Sequence, residues 1–511
     1  MDKYAKRKYV LGAVILLVAV VYVIKLLDLQ VLDDTWTKSS ESNAIRRQVN
    51  YPARGLIFDR NGVQLVRNKA AYNMMVVPGD LKPFDTLEFC RLLKIEPAEL
   101  IDGIKKARAY SPLKPSVVVS QLSPEVYAGI QEKLLKYPGF YPEPRTLREY
   151  PRNIAAHMLG YVGEVDAKVI EQYPYYAMGD YIGITGLERS YEQELRGRKG
   201  VNFVLVDVHN RVKGPYQDGE RDTMSVLGKD LTATIDAELQ EYAELLMSNK
   251  RGAVVAIEPE TGEVLCYLSV PSYNPNLLVG RERAANYNKL LVDSFKPLIN
   301  RAIAPEYPPG STFKLVNGLS ALQMGAITTS TAFSCNGPAS YPMKCTHFHQ
   351  SPITIQGAIR ESCNVFFMET LFRAVGLNKY QSAENYNNWR RHVMSFGLGQ
   401  VVGKDFYGEK PGRIPSVAMY NQIYKGANTW NANTIRSLAI GQGEINVTPL
   451  QLANMAATIA NHGWYIEPHL VKAVSTKSGE VEQLHFERRQ TIIDEKHFEV
   501  VIQGMQDAVE R

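Results

Sequence analysis

Five cysteines in 511 residues are too few, and odd in number, to staple a chain of this size, so a disulfide scaffold is excluded and the position of each sulfur matters more than the count. Charge of one sign is scarce as well. Lys and Arg number 58 against 53 Asp and Glu, a net charge of +5, too thinly spread for a nucleic-acid partner, which needs clustered cations. Beyond Asn50 there is no second long apolar run, which excludes a transporter or a channel. There is no internal repeat, no low-complexity segment and no Gly-x-Ser-x-Gly elbow, and the histidines show no pairing that would support a Ser-His-Asp triad. What remains is 45% hydrophobic and 22% charged, the composition of a largely globular chain with room for two or three domains, each with its own core.

One long apolar run is present, near the N-terminus. After Lys3, Lys6, Arg7 and Lys8, the uncharged stretch from Tyr9 to Ile24 spans a hydrocarbon layer at about 1.5 Å per residue once Leu26 and Leu27 join it and Lys25 snorkels. A cleaved signal peptide is the alternative. The run exceeds a usual signal core and no small-x-small cleavage site follows Val21, so residues 1–30 are expected to be a retained transmembrane anchor. Cations precede the span and Asp28, Asp33 and Asp34 follow it, so the short N-terminus is expected in the cytoplasm and everything after about Gln30 outside it.

The exported part changes character near 225–231, which divides it into residues 31–228 and 229–511. The first stretch mixes short alternating segments, such as Met74 to Val77 and Ser116 to Ser120, with Pro-, Tyr- and Gly-rich connections. Within it Leu187, Tyr191 and Leu195 stand at helical spacing between Gly186 and Gly197. In the second, Ala253 to Ile257 and Val264 to Val270 flank a five-residue turn ending at Gly262, a hairpin pattern. Helical patterns follow at 312–324, 362–375, 448–459 and 496–509, giving an α+β fold class.

Chemistry is suggested first by Pro308-Pro-Gly-Ser-Thr-Phe-Lys314, where two prolines and a glycine precede a helix with a buried face of Leu315, Leu319 and Leu322. Positions i and i+3 share a face, so the Lys314 amine can reach the Ser311 hydroxyl, a poor nucleophile that needs a base. The base must be a neutral amine, several units below a lysine's ordinary pKa of about 10.4, and burial and the helix dipole push that way. The plain alternative is a serine at a helix start with a solvated lysine one turn on. A second element is Ser362-Cys-Asn364, about fifty residues later, opening a helix that carries Val365, Met368, Leu371 and Val375. A hydroxyl beside the amine can shuttle a proton to a leaving group, and an Asn amide can hold a peptide carbonyl. Ser272-Tyr-Asn274 and Ser334-Cys-Asn336 share these letters, but lie in turn-like or Cys-rich loops. Gly397 to Asp405 imitates a phosphate loop with the wrong glycine spacing, and is expected to be a plain loop.

Ser-x-x-Lys followed by Ser-x-Asn resembles the penicillin-binding protein and serine β-lactamase superfamily. Arg54 to Gly62, Arg148 to Pro151, Ala156 to Gly163, Gly186-Leu-Glu188 and Leu195-Arg-Gly197 resemble the pedestal motifs of class B penicillin-binding proteins. Pro271 to Asn276, Asn300-Arg301, Gly441-Gln-Gly443 and Thr448 to Ala453 resemble motifs of their transpeptidase domain. The match runs from the membrane span almost to Arg511 and is nearest to the elongation type, the penicillin-binding protein 2 group. The resemblance implies a transmembrane helix, an elongated pedestal (dimerisation-like) domain over 31–228 and a transpeptidase domain of the serine β-lactamase-like fold over 229–511. The superfamily's third motif, Lys-Thr/Ser-Gly on a strand beside the site, is not found. Lys477-Ser-Gly479 has the letters, but falls in a turn between the strand-like runs 470–475 and 481–486. The expectation is a domain without its C-terminal strands and, lacking an oxyanion donor worth about 2.7–4 kcal/mol, with impaired turnover.

Cys335, Cys345 and Cys363 crowd between the two motifs with His347 and His349 beside them, and three sulfurs with an imidazole suit a tetrahedral zinc. A Cys335–Cys345 disulfide and buried free thiols are the alternatives. The resemblance points to a structural zinc held by Cys335, Cys345, His349 and Cys363, with His347 the less suitable imidazole. Cys90 and Cys266 are expected in cores.

The function implied is a bacterial inner-membrane peptidoglycan D,D-transpeptidase that cross-links stem peptides through a Ser311 acyl-enzyme, with Lys314 as base, Ser362 as relay and Asn364 orienting the peptide. It implies inhibition by β-lactams, no cofactor for catalysis, and a SEDS-type glycosyltransferase of the cell-elongation machinery as partner. A D,D-carboxypeptidase and a non-catalytic scaffold or activator of that glycosyltransferase are the alternatives.

Overall fold

The computed structural model describes residues 7–27, 45–206, 212–476 and 479–510. Lys3, Lys6, Asp28, Asp33, Asp34 and the Lys477-Ser478 pair, which enter the expectations above, lie outside the described residues. Arg7–Leu27 is a single helix of 21 residues, about 30 Å long at 1.5 Å per residue. Its apolar side chains from Tyr9 to Leu26 are buried against nothing among the described residues. A helix that is apolar all round and unpacked suits a lipid solvent, as a single membrane span does.

The chain is α+β and divides into two compact units that interleave in sequence, 1–53 with 70–146 and 197–227, and 54–69 with 147–196 and 228–511. The last switch point, between Leu227 and Gly228, falls where the sequence changes character. Long-range pairing draws the two inner stretches into the second unit. Arg54 and Arg148 share the buried carboxylate of Glu188, and Arg54 also reaches Glu192, while Leu231–Ala233 runs parallel to Ile57–Phe58.

In the first unit, Ile45–Asn50 pairs antiparallel with Gly200–Val206, which pairs in turn with Val212–Pro215. Residues 72–76 pair antiparallel with Ser116–Leu122. Helices Thr86–Leu93, Pro97–Tyr110 and Pro124–Gln131 contribute to a core in which Met74, Phe89, Leu100 and Ile130 are fully buried and Cys90 nearly so. The first of these starts on Asp85, whose carboxylate accepts the amides of Leu87 and Glu88 at 2.9 Å.

In the second unit, Leu231–Ala233 also pairs antiparallel with Val471–Ser475. The expected hairpin forms as Gly252–Ile257 and Val264–Val270, closed by a turn in which Gly262 has φ +76°. The hairpin is a two-stranded sheet among the described residues and packs against helices Ala237–Met247 and Pro449–Ala460. The four expected helical patterns form as Phe313–Gln323, Asn364–Val375, Pro449–Ala460 and Phe498–Glu510. The third starts on a capping box between Thr448 and Gln451. One pattern breaks. Instead of one helix over 186–196 there are two, Gly186–Ser190 and Glu192–Leu195, because Tyr191 leaves the helical region (φ −110°, ψ 31°). Its hydroxyl reaches Asp405 Oδ2 at 3.0 Å. Gly397 to Asp405 is a loop ending on that buried carboxylate, which also accepts the amides of Leu470 and Val471.

Candidate active site

Pro308-Pro309-Gly310 delivers the chain into a short 3-10 turn, Gly310–Thr312, that runs straight into helix Phe313–Gln323. Gly310 has φ +62°, which its missing side chain permits. The segment is stitched to a distant one. Tyr307 and Val447 exchange both backbone hydrogen bonds at 2.8 Å, and the Gly310 amide donates to the Gly441 carbonyl at 2.9 Å. Gly441 has φ +67°, and a Cβ there would stand 2.2 Å from the Gly310 carbonyl oxygen. Only a glycine backbone can approach so closely. Ser311, next along, is exposed.

Lys314 is buried at 2% exposure. Its Nζ donates to the Ser362 carbonyl at 2.7 Å, the Ser362 hydroxyl at 2.9 Å and Asn364 Oδ1 at 2.7 Å. All three acceptors are neutral. Burial therefore dominates and lowers the amine from 10.5 to about 8, opposed by the neighbouring Cys345 and Cys363 sulfurs. The ring of Phe367 lies 5.9 Å from the amine.

The turn that meets this amine joins helix Ile355–Arg360 to helix Asn364–Val375. Ser362 holds φ +50°, a conformation a serine adopts only when its surroundings impose it, and strain of this kind gathers at functional sites. Cys363 caps the second helix, its Sγ accepting the Phe366 amide at 3.4 Å. Asn364 is held from both ends, Oδ1 by Lys314 and Nδ2 by the Lys344 carbonyl at 2.9 Å.

Lys314, Ser362 and Asn364 thus share one hydrogen-bonded cluster. Ser311 sits one turn before Lys314, and its hydroxyl is not among the partners of the amine. The other Ser-x-Asn pairs make local turns, with Asn274 Oδ1 taking the Asn276 amide at 2.9 Å and the Asn336 amide donating to Ser340 Oγ at 3.0 Å. Sequence reasoning gave Gly441 and Val447 no part in holding Ser311. Gly441-Gln-Gly443 and Thr448 to Ala453 stand out as motifs, but they are too distant along the chain to be linked to Gly310 by spacing.

The ligand atoms of Cys335, Cys345, His349 and Cys363 all lie within 4.8 Å of one another. Cys335 and Cys345 are 3.5 Å apart and Cys345 and Cys363 3.6 Å, and all five cysteines are free, so the sulfurs are not joined as disulfides. At zinc–sulfur bonds of about 2.3 Å, tetrahedral ligands stand roughly 3.8 Å apart, close to these separations. Each sulfur also accepts one backbone amide, from Gly337, Asn364 and Phe366 at 3.2–3.4 Å, the kind of supporting bond that orients a metal ligand. His349 Nδ1 bonds the Gln350 carbonyl at 2.9 Å, while its Nε2 is buried without any partner. A ring whose far nitrogen is fixed by a carbonyl and whose near nitrogen is an orphan beside three sulfurs is in the state a metal ligand needs. His347 points elsewhere, to Thr346 Oγ1 at 3.0 Å and Glu361 Oε2 at 3.3 Å. These residues fit zinc.

Comparison with known proteins bears on both halves of the chain. Residues 49–233 match the family model of the penicillin-binding protein dimerisation domain, and residues 252–511 that of the penicillin-binding protein transpeptidase domain. The peptidoglycan D,D-transpeptidase MrdA of Acinetobacter baumannii is 32% identical over 451 residues, which cover 86% of this chain and 65% of that protein. MrdA of Escherichia coli K12 is 30% identical over 495 residues, covering 94% and 76%. Among solved structures, Pseudomonas aeruginosa PBP2 in complex with WCK 5153 matches at TM-score 0.61 and 27% identity over 90% of this chain and 80% of that one. A Helicobacter pylori PBP2, solved in complex with MreC, shares the fold at TM-score 0.75 and 23% identity over 91% of this chain and 85% of its own. A chain from a peptidoglycan synthase complex that coordinates polymerization and crosslinking matches at TM-score 0.65 and 26% identity over 99% of this chain and 85% of its own.

Proposed function

The chain belongs to the class B penicillin-binding proteins of the elongation type, and from that membership we propose that it is a peptidoglycan D,D-transpeptidase working through a serine acyl-enzyme. The observation that carries the reading is the buried, half-tamed amine of Lys314. It lies one turn from Ser311 and is hydrogen-bonded to both Ser362 and Asn364. The Ser311 hydroxyl attacks the penultimate D-Ala carbonyl of a stem peptide while the neutral Lys314 amine takes its proton. The tetrahedral adduct collapses, the peptide C–N bond breaks, and the proton passes from Lys314 through the Ser362 hydroxyl to the departing D-Ala nitrogen. Asn364, its amide orientation fixed by Lys314 and Lys344, presents an N–H toward the peptide backbone. An amine from a second strand then attacks the acyl-enzyme carbonyl and gives up a proton to the neutral Lys314 amine, and as the amide forms the ester C–O bond breaks, Lys314 returning that proton to Ser311 Oγ. A β-lactam acylates the same serine.

The test is labelling of the full-length protein with a fluorescent penicillin. Covalent label on the wild type that vanishes in Ser311→Ala supports the reading. A folded wild type that takes no label, or a Ser311→Ala variant that still does, sinks it.

In this reading residues 31–228 form the pedestal and 229–511 the transpeptidase domain. The cationic N-terminus lies in the cytoplasm and both domains are extracytoplasmic in a bacterial cell. The partner is a SEDS-type glycosyltransferase, a pairing supported by the similarity to a chain of a peptidoglycan synthase complex. Cys335, Cys345, His349 and Cys363 hold a structural zinc whose part is to pin the loop carrying Lys344 against the Ser362–Asn364 turn. Elemental analysis of protein purified without chelator is expected to give about one zinc per chain, and metal-free protein with the same fold removes the site.

A further inference from the structure

Asn317 lies three residues after Lys314, on the same face of helix Phe313–Gln323, and is wholly buried. Its surroundings are apolar, with Val316, Leu319 and Phe367 also fully buried. A leucine would suit the spacing and the helix better than an asparagine, whose amide is costly to bury unless every polar atom finds a partner. Here every one does. Oδ1 accepts the Trp389 indole N–H at 3.0 Å, and Nδ2 donates to the Phe367 carbonyl at 3.2 Å and the Ala439 carbonyl at 3.3 Å.

Two of those partners lead back to the candidate active site. Phe367 follows Asn364 by three residues on its own helix, so Lys314–Asn364 and Asn317–Phe367 are successive rungs between the same two helices. Ala439 comes two residues before Gly441, the glycine that receives the Gly310 amide beside Ser311. A single buried amide therefore ties the helix bearing Lys314 to both segments that flank it, one carrying Ser362 and Asn364, the other holding Ser311 from behind.

We infer that Asn317 is a positioning residue for acyl transfer. It sets the spacing between the amine of Lys314, the Ser362–Asn364 turn and the Gly310–Ser311 segment through a network of directional bonds that apolar packing of equal volume would not reproduce. The inference rests on the reading that Ser311 is the nucleophile.

The experiment is saturation kinetics of penicillin acylation on the detergent-solubilised full-length protein, separating initial binding from the acylation step. Asn317→Leu is expected to lower the acylation rate about ten- to a hundredfold, the range that small misplacements of reacting groups produce. The dissociation constant of the initial complex should stay within about twofold. The substitution also strands the Trp389 N–H and lowers stability. The double variant Asn317→Leu with Trp389→Phe removes that stranded donor. Its thermal midpoint should return toward the wild type while acylation stays slow. An unchanged rate in Asn317→Leu, or a rate that recovers together with the midpoint in the double variant, overturns the inference and leaves Asn317 as core filling. A wild type that takes no label on Ser311 overturns the underlying reading instead, independently of any variant at 317.

Discussion

Arg148 and Lys314 are both cations taken almost wholly out of water, at 5% and 2% exposure, yet their surroundings treat the charge in opposite ways. Arg148 Nε donates to Glu188 Oε1 at 2.6 Å, and Arg54 reaches the other oxygen of Glu188 at 2.8 Å and Glu192 at 2.7 Å. Burial opposes the charges in that cluster, but the carboxylates outweigh it. Arg54 is held above its ordinary range, and Glu188, beside two guanidiniums, is held below its own. Around Lys314 the partners are a carbonyl, a hydroxyl and an amide oxygen, which satisfy the hydrogens without cancelling the charge. The first arrangement is a fixed pin of paired opposite charges. The second leaves an amine with a pKa of about 8. At pH 7 about one such amine in ten is neutral, against roughly one in three thousand at the ordinary value. A buried cation becomes a usable base when its hydrogen-bond partners are polar but uncharged and burial outweighs the charges farther off.

The contrast can be broken at either end. The largest effect is expected from Lys314→Met, which removes the base and should slow acylation by about 10²- to 10⁴-fold without lowering the thermal midpoint, since no charge is left buried. A drop of under tenfold would mean that the amine is no more than structural. Next comes Glu188→Ala at the other cluster. It leaves two buried guanidiniums short of a carboxylate and should cost about 3–5 kcal/mol in denaturant unfolding, while the molecules still folded acylate at the wild-type rate. The smallest effect is the pH profile. As the amine deprotonates, acylation should rise about tenfold from pH 7 to pH 9 and level off. The folded-state pKa of Glu188 is lowered, so the stability it contributes is present above the unfolded carboxylate value and is lost only as pH falls through the lowered one. Unfolding free energy from that cluster should therefore stay flat over the range in which acylation climbs. A rate that is flat over the same range would separate Lys314 from the proton transfer.

Much of the second unit is legible in the sequence because its signals are local. Helical spacing alone places Ser311 and Lys314 one turn apart, and the hairpin around Gly262 and the helices Phe313–Gln323, Asn364–Val375 and Pro449–Ala460 follow from periodicity, whereas the polar helix Lys379–Met394 gives no such signal. What spacing does not carry is long-range choice. Burial turns the Lys314 amine toward Ser362 and Asn364 rather than toward Ser311, and nothing within a turn of Lys314 announces that. His347 and His349 are interchangeable by spacing, and the Gln350 carbonyl and Glu361 distinguish them only in three dimensions. Asn317 stands off the Leu315, Leu319 and Leu322 stripe with no signal of its own, and only in three dimensions do Trp389, Phe367 and Ala439 converge on it. The interleaving of the two units is invisible for the same reason, since Arg54 finds Glu188 across 134 positions of chain.

The meeting of Gly310 and Gly441 has a consequence for how this protein can change. At Gly129, in a helix of the other unit, an added methyl would touch nothing within 4 Å, so that codon is free to drift. At Gly441 the smallest possible enlargement collides with main-chain atoms, which cannot rotate aside as a side chain would. Any lineage that reshapes the neighbourhood of Ser311 must therefore find its variation elsewhere and inherit the Gly441 codon untouched.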